Sequence, residues 1–228
     1  MNVKPGAVAL DLDNTMYEYE PCHSAAMAVV AGEIMNRLGI PKSNWIGAYE
    51  ESRGDSKSRL GQTAASHSRL IYFKGMLEKL GLASQVDLAL QLESLYWGEF
   101  IRNIQRADAL VLFLELCREN AIPVVVVTDL TTGIQIRKLH KLKVIDLISG
   151  LVTSEDVGAD KPASAHLNYI KNSIGIDASH WWVVGDDQLK DGGFAETTDG
   201  GVFIHISAEG KSSMDFRKLA NILETLCQ

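Results

Sequence analysis

The chain has 228 residues, of which 46% are hydrophobic and 22% charged, and its 22 Lys/Arg against 29 Asp/Glu give a formal net charge of −7. These fractions are those of a globular protein and exclude a disordered chain, a collagen-like rod or a coiled coil. The acidic balance argues against a general nucleic-acid binder.

The first predicted element is the apolar run Ala7-Val8-Ala9-Leu10, a continuous stretch suited to a parallel strand covered on both faces. Residues 16–106 have a different texture, with almost nothing that reads as a strand. Helices are predicted over 24–38, 42–52, 63–80 and 84–104, separated by Gly39-Ile40-Pro41, Gly54 and Gly81. Ser84 with Asp87 resembles a shortened capping box. From residue 108 helices and strands alternate. Asp108 is a candidate N-cap for a helix over 109–120, followed by a strand over 123–127 and a helix over 132–142. Weaker strand character at 148–152 is followed by Pro162 at a helix start, strands over 181–184 and 202–206, and a last helix over 213–226. This predicts a doubly wound parallel α/β core carrying a helical insertion, with a single mixed domain as the alternative.

No apolar run approaches the roughly 18 residues of a membrane span, and no secretory apolar region precedes Asp11. Cys22, Cys117 and Cys227 cannot all pair and show no metal-binding spacing. They suit free thiols in a reducing compartment, and a cytoplasmic protein acting on a small molecule, without membrane or nucleic-acid partners, is expected.

Four groups of residues carry potential chemistry. The first strand runs into Asp11-Leu12-Asp13-Asn14-Thr15, at the carboxyl end of a strand, where open α/β sheets bind ligands. Alternation points Asp11 and Asp13 to one side, where the two carboxylates repel unless a cation or proton intervenes. Asp13 and Thr15 could instead cap the next helix. Thr128 ends the second strong strand and can donate to an anion. Lys161, before Pro162, sits where a helix start disfavours a cation unless an anion faces it. Gly185-Asp186-Asp187, with Asp191 beyond, puts hard oxygen ligands suited to Mg²⁺ at the edge that carries Asp11. Asp187 and Asp191 are alternatively helix caps.

In this order, each after a predicted strand, the four groups resemble the haloacid dehalogenase-like (HAD) hydrolase superfamily. The resemblance covers essentially the whole chain and is closest to the small-molecule phosphatase branch. It implies a Rossmann-like core from residues 1–15 and 107–228, and an all-helical C1 cap from 16–106. It further implies Asp11 as the nucleophile that forms an aspartyl-phosphate, and Asp13 as the acid and base for the leaving alcohol and the attacking water. Mg²⁺ would be held by Asp11, the Asp13 carbonyl and Asp186; Thr128 and Lys161 would hold phosphate oxygens. Asp191 would order a metal-bound water or Lys161, and Asp187 belongs either to the metal shell or to a helix cap. Two departures from the family pattern stand out: Asp129-Leu130 replaces the Asn-Gly or Ser-Gly common after Thr128, and Asp187 stands where many relatives carry Ser.

The function expected is a Mg²⁺-dependent phosphatase of a small metabolite, of the sugar-phosphate or nucleotide class, as a monomer or homodimer. A 2-haloacid dehalogenase or a phosphomutase on the same scaffold is the alternative. A receiver domain shares the acids, Thr and Lys but is about half this length and lacks a cap. Within residues 16–106, Ser66-His67-Ser68-Arg69 runs into Tyr72-Phe73-Lys74. Arg69 and Phe73 share a helix face, which makes Arg69 the first candidate for a substrate contact, with His67 and Lys74 after it. The plainer reading makes the apolar residues cap core and the charges solvated. Trp45 and Trp97 read as packing residues.

Overall fold

The computed structural model describes residues 3–208 and 214–228. The chain divides into two compact units, a core unit of Met1–Tyr19 with Gln105–Gln228 and a helical unit of Glu20–Ile104.

The core unit is built on five parallel strands: β1 (Ala7–Leu10), β2 (Val124–Thr128), β3 (Gly150–Thr153), β4 (Trp181–Gly185) and β5 (Val202–His205). Their order in the sheet is β3-β2-β1-β4-β5. Val8 pairs in register with Val124 on one side and Trp182 on the other, so β1 is central and the strand order reverses around it. That reversal opens a crevice at the carboxyl ends of β1 and β4, the usual ligand position in such sheets. The continuous apolar runs follow from burial on both faces. Alternate residues Ala7, Ala9, Val125, Val127, Trp181 and Val183 pack with Leu167, Ile170 and Phe194 in one cluster. Val8, Leu10, Val124 and Val126 are equally buried. The core unit carries α5 (Leu110–Glu119), α6 (Thr132–Leu142), α7 (Ser154–Val157), α8 (Ala165–Tyr169), α9 (Gly193–Thr197) and α10 (Phe216–Cys227), and α5 meets α10 through the rings of Phe113 and Phe216, 5.8 Å apart.

The helical unit contains α1 (Tyr19–Leu38), α2 (Lys42–Leu60), α3 (Arg69–Lys79) and α4 (Val86–Asn103). Its centre is aromatic: Trp45, Tyr49, Tyr72, Phe73, Tyr96 and Phe100 are buried, with Tyr49–Phe73 rings 5.2 Å apart and Tyr96–Phe100 rings 5.8 Å apart. Gly75 lets α3 approach α2, since a Cβ there would lie 2.2 Å from Ser52 Oγ. No helix among the described residues is long and apolar enough to cross a membrane.

Several local expectations need correction. The sequence reading ends the second helix before Gly54, whereas α2 continues to Leu60. A mid-helix glycine costs only about 1 kcal/mol, which the buried residues Trp45, Tyr49, Ser52 and Ser56 of the same helix outweigh. The single helix expected over 63–80 is interrupted: a 3₁₀ turn at Ala64–His67 precedes Ser68, whose side chain caps α3 by accepting from Ile71 N at 3.4 Å. Neither Asp108 nor Ser84 is an N-cap. Ala109, at φ 58°, and Gln85 occupy those places without a side-chain cap bond, because each chain segment enters its helix through a preceding turn. The last helix begins at Phe216, capped by Asp215, whose carboxylate accepts from Lys218 N at 2.8 Å. Ser213, the expected first residue, lies outside the described residues.

Candidate active site

β1 ends at Leu10, and the chain then leaves the sheet through Asp11 to Thr15. Asn14 adopts φ 62°, a conformation Asn tolerates, and its side chain accepts from Tyr19 N at 3.0 Å, tying the turn to the start of α1 (Tyr19–Leu38). The capping role therefore falls to Asn14, which leaves Asp13 and Thr15 available for other contacts. Thr15 Oγ1 donates to Asp11 Oδ2 at 3.2 Å.

Lys161 Nζ lies 2.5 Å from Asp11 Oδ1 and 2.5 Å from Asp191 Oδ1. All three side chains are buried. Lys161 does not stand at a helix start, since the next helix, α8 (Ala165–Tyr169), begins after an intervening turn. What holds the lysine in place is the pair of carboxylates. Asp191 Oδ2 also accepts from Asp187 N at 3.1 Å. The Asp187 side chain is a cap: it accepts from Leu189 N at 2.8 Å and Lys190 N at 3.1 Å, at the head of the wide helical turn Gln188–Gly192.

Asp11, Asp186 and Asp191 each offer a carboxylate oxygen within 4.8 Å of the others. Burial pushes the Asp11 carboxyl well above its ordinary range, against the pull of Lys161, and the neighbouring Asp191 and Asp186 add to the rise. Burial and then repulsion by Asp191 raise Asp186 to about 6. Lys161 is driven upward by Asp11, Asp191 and Asp129 despite burial and stays charged. One ammonium among three carboxylates leaves negative charge in excess, and that excess fits a divalent cation.

Asp13 has separate partners. Lys138 Nζ lies 2.7 and 2.9 Å from its two oxygens, the Tyr17 hydroxyl donates to Oδ1, and Gln135 Nε2 is 3.4 Å from Oδ2. Burial disfavours the carboxylate, but Lys138, Tyr17 and Gln135 together hold Asp13 below the usual range. Thr128 Oγ1 accepts from the same Gln135 amide at 2.7 Å. The Thr128 hydroxyl in turn donates to the Asp129 carbonyl at 3.3 Å.

Asp129 joins three segments of the chain. Its Oδ1 accepts from Lys161 N at 3.0 Å and Ser154 Oγ at 3.1 Å, and Oδ2 lies 2.5 Å from Lys190 Nζ. Burial opposes its charge, but Lys161 and Lys190 hold its carboxyl low. The next residue, Leu130, sits at φ 87°, a left-handed conformation that glycine adopts most readily.

The fold therefore brings Asp11, Asp186, Asp191 and Lys161 together, and links Asp13 to Thr128 through Gln135. The remaining candidates belong to the helical unit. Arg69 lies with its guanidinium carbon 5.3 Å from the ring centres of Tyr72 and Tyr96 and 5.5 Å from that of Trp97, and it donates to the His67 carbonyl at 2.9 Å. His67 is half-buried, and Lys74 is exposed and paired with Glu78. Sequence reasoning assigned nothing to Tyr17, Gln135, Lys138 or Lys190. A signal was present for two of them: Gln135 and Lys138 fall on the apolar stripe of α6 (Thr132–Leu142), beside Ile134, Leu139 and Leu142.

A parallel core of this strand order carries acids after β1 and β4, a threonine ending β2 and a lysine after β3, all towards the carboxyl edge where such sheets bind ligands. The haloacid dehalogenase-like hydrolase model matches residues 5–196, and the chain belongs to that family. It is 35% identical over 187 residues to a ribulose-1,5-bisphosphate 5-phosphatase of Halopiger xanaduensis, a match covering 81% of this chain and 78% of the relative. This places it on the family's phosphatase branch, among the phosphoric monoester hydrolases. Among solved structures, a 2-haloacid dehalogenase from Pseudomonas syringae pv. Tomato DC3000 superposes with TM-score 0.74 at 19% identity, covering 98% of this chain and 99% of that one. The magnesium-bound HAD-hydrolase YfnB from Bacillus subtilis gives TM-score 0.67 at 18% identity, covering 96% and 99%. These two likenesses concern the fold.

Proposed function

We propose that the chain is a Mg²⁺-dependent phosphatase of a small phosphorylated metabolite, of the sugar-phosphate or nucleotide class, acting through an aspartyl-phosphate on Asp11. The observation that carries this reading is the buried Asp11 carboxylate held by Lys161 at 2.5 Å beside two further carboxylates. Asp11, Asp186 and Asp191 supply hard oxygen donors with excess negative charge, and the Asp13 backbone carbonyl is a further ligand in this reading. Bound there, Mg²⁺ would supply positive charge against the repulsion between phosphate and nucleophile.

Asp11 attacks the phosphorus in line, while Thr128 and Lys161 donate to phosphate oxygens. Asp13 gives a proton to the departing alkoxide. In the second half it takes one from the water that attacks the aspartyl-phosphate. Asp13 rests ionised beside Lys138, so its first proton comes with the substrate, from the monoanionic fraction of the ester, roughly a tenth at pH 7 for a second pKa of about 6. The relative's named substrate, a sugar bisphosphate, supports the sugar-phosphate class. In this reading residues 16–106 are the cap that selects substrate, and Cys22, Cys117 and Cys227, which form no disulfide among the described residues, suit the cytoplasm.

A panel of phosphorylated metabolites, read by released phosphate with Mg²⁺ and with EDTA, tests the reading. Activity should require the metal, and Asp11→Asn should lower turnover by several orders of magnitude without unfolding the protein. Retention of more than about a tenth, a loss of only ~1.4 kcal/mol in transition-state stabilisation, overturns the covalent mechanism. Halide release from 2-haloacids without metal would favour the dehalogenase alternative, and phosphate passed to a second hydroxyl the phosphomutase.

A further inference from the structure

A lysine facing inward from an amphipathic helix is costly unless its charge is matched. Lys138 has no exposed surface, yet it occupies the inward stripe of α6. Its ammonium spans both oxygens of Asp13, at 2.7 and 2.9 Å, and lies 5.9 Å from the centre of the Tyr17 ring. The Tyr17 hydroxyl takes a second position on Oδ1. A buried ion pair is a poor means of stabilising a helix, since an apolar side chain of similar volume commonly serves as well or better. The expense is explained if the pair fixes the direction of a carboxylate that must move protons. The Asp13 side chain keeps 31% of its surface exposed while Lys138 has none, so the anchor is inside and the carboxylate is at the surface of the site.

Resting on the reading of Asp13 as the proton-transfer residue, we propose that Lys138 is its positioning residue, with Tyr17 as a second anchor. A general acid must come within about 2.6–3.2 Å of the leaving oxygen. Two oxygens gripped from behind by one ammonium leave the carboxylate a single orientation. Without Lys138 the side chain swivels, and proton delivery suffers more than phosphoryl binding does.

The test compares kcat/KM of the intact protein, with Mg²⁺, on an alkyl phosphate and on p-nitrophenyl phosphate. The alkoxide needs a proton to leave, whereas the nitrophenolate needs little help. Lys138→Met should lose about 10- to 100-fold on the alkyl ester, within the usual range for general acid–base catalysis, and several-fold less on the aryl ester. Tyr17→Phe should show the same inequality in smaller measure, and Lys138→Arg should recover part of the loss. Asp13→Asn serves as the reference. If it shows no such inequality, the role of Asp13 fails; if it does and Lys138→Met does not, the positioning role alone fails. Equal losses on both esters, or none, overturn the proposal. Should Lys138→Met not fold, Tyr17→Phe decides by the same criterion.

Discussion

Gly185 and Asp191 occupy each other's space: a Cβ on Gly185 would lie 2.1 Å from Asp191 Oδ2 and 2.8 Å from Asp191 Cβ. The glycine ending β4 is there to admit a carboxylate, which then holds Lys161 through one oxygen and the Asp187 amide through the other. Because both oxygens are committed, Asp191 cannot swing aside without releasing its partners. Gly185→Ala should therefore destabilise the protein by about 1–3 kcal/mol, the usual cost of overpacking. It should also reduce phosphate release at least tenfold as Lys161 loses one of its two carboxylates. Urea denaturation and steady-state assays check both. Wild-type values in both would mean that the Asp191 carboxylate relocates freely.

Asp129 gives the site a defined acid sensitivity. Its folded-state pKa is depressed, because Lys161 and Lys190 outweigh the effect of burial. A depressed carboxyl contributes stability that is present above its unfolded pKa, about 3.9, and is lost as pH falls through the lower folded value. Asp129→Asn removes that contribution. The variant should be less stable than wild type by about 1–3 kcal/mol at pH 7, the range for orphaning buried hydrogen-bonding groups. The gap should narrow steadily below about pH 4, the unfolded-state value. The exposure of Lys190 keeps its share of the effect small. Thermal melts of both proteins from pH 7 to pH 3 measure the gap, and a gap independent of pH would assign Asp129 a packing role alone.

The chemistry-bearing acids were legible because they follow strands whose apolar runs are unmistakable, as Asp11 follows Ala7-Val8-Ala9-Leu10 and Asp186 follows β4. Thr132–Leu142 was legible to the residue because Ile134, Leu139 and Leu142 still mark one buried helical face. Lys161 was legible as a lysine that needs an anion to face, and it meets Asp11 and Asp191. The partners of Asp13 were not: Lys138 meets it across 125 positions of sequence, and no local pattern encodes such pairing. A buried lysine also looks, in one dimension, like an interruption of an apolar stripe. Asp129 read as a departure from the family pattern, yet it ties the Lys161 backbone and Lys190 to the end of β2. Gly54 misled in the opposite direction, because propensity alone cannot show that tertiary packing carries a helix through a weak residue.

Arg69 separates substrate reading from stability. Its guanidinium lies among Tyr72, Tyr96 and Trp97 at 5.3 to 5.5 Å, and one amino group is committed to the His67 carbonyl. The aromatic contacts pre-orient a planar donor fork that suits a phosphate or carboxylate, and each is worth about 0.5–2 kcal/mol. Lys74 is a weaker candidate, being exposed and paired with Glu78 on its own helix. Under the proposed function, Arg69→Ala should raise KM for the true substrate at least tenfold while barely changing hydrolysis of p-nitrophenyl phosphate, which offers no remote group to bind. It should also lower the melting temperature, because three rings lose their cation. Arg69→Lys keeps the charge but not the fork, so it should recover stability more than substrate affinity. Paired kinetics and melting curves on both variants distinguish the outcomes: equal kinetic losses on both esters would make Arg69 a packing residue, and an unchanged KM with a lowered melting temperature would remove it from substrate recognition.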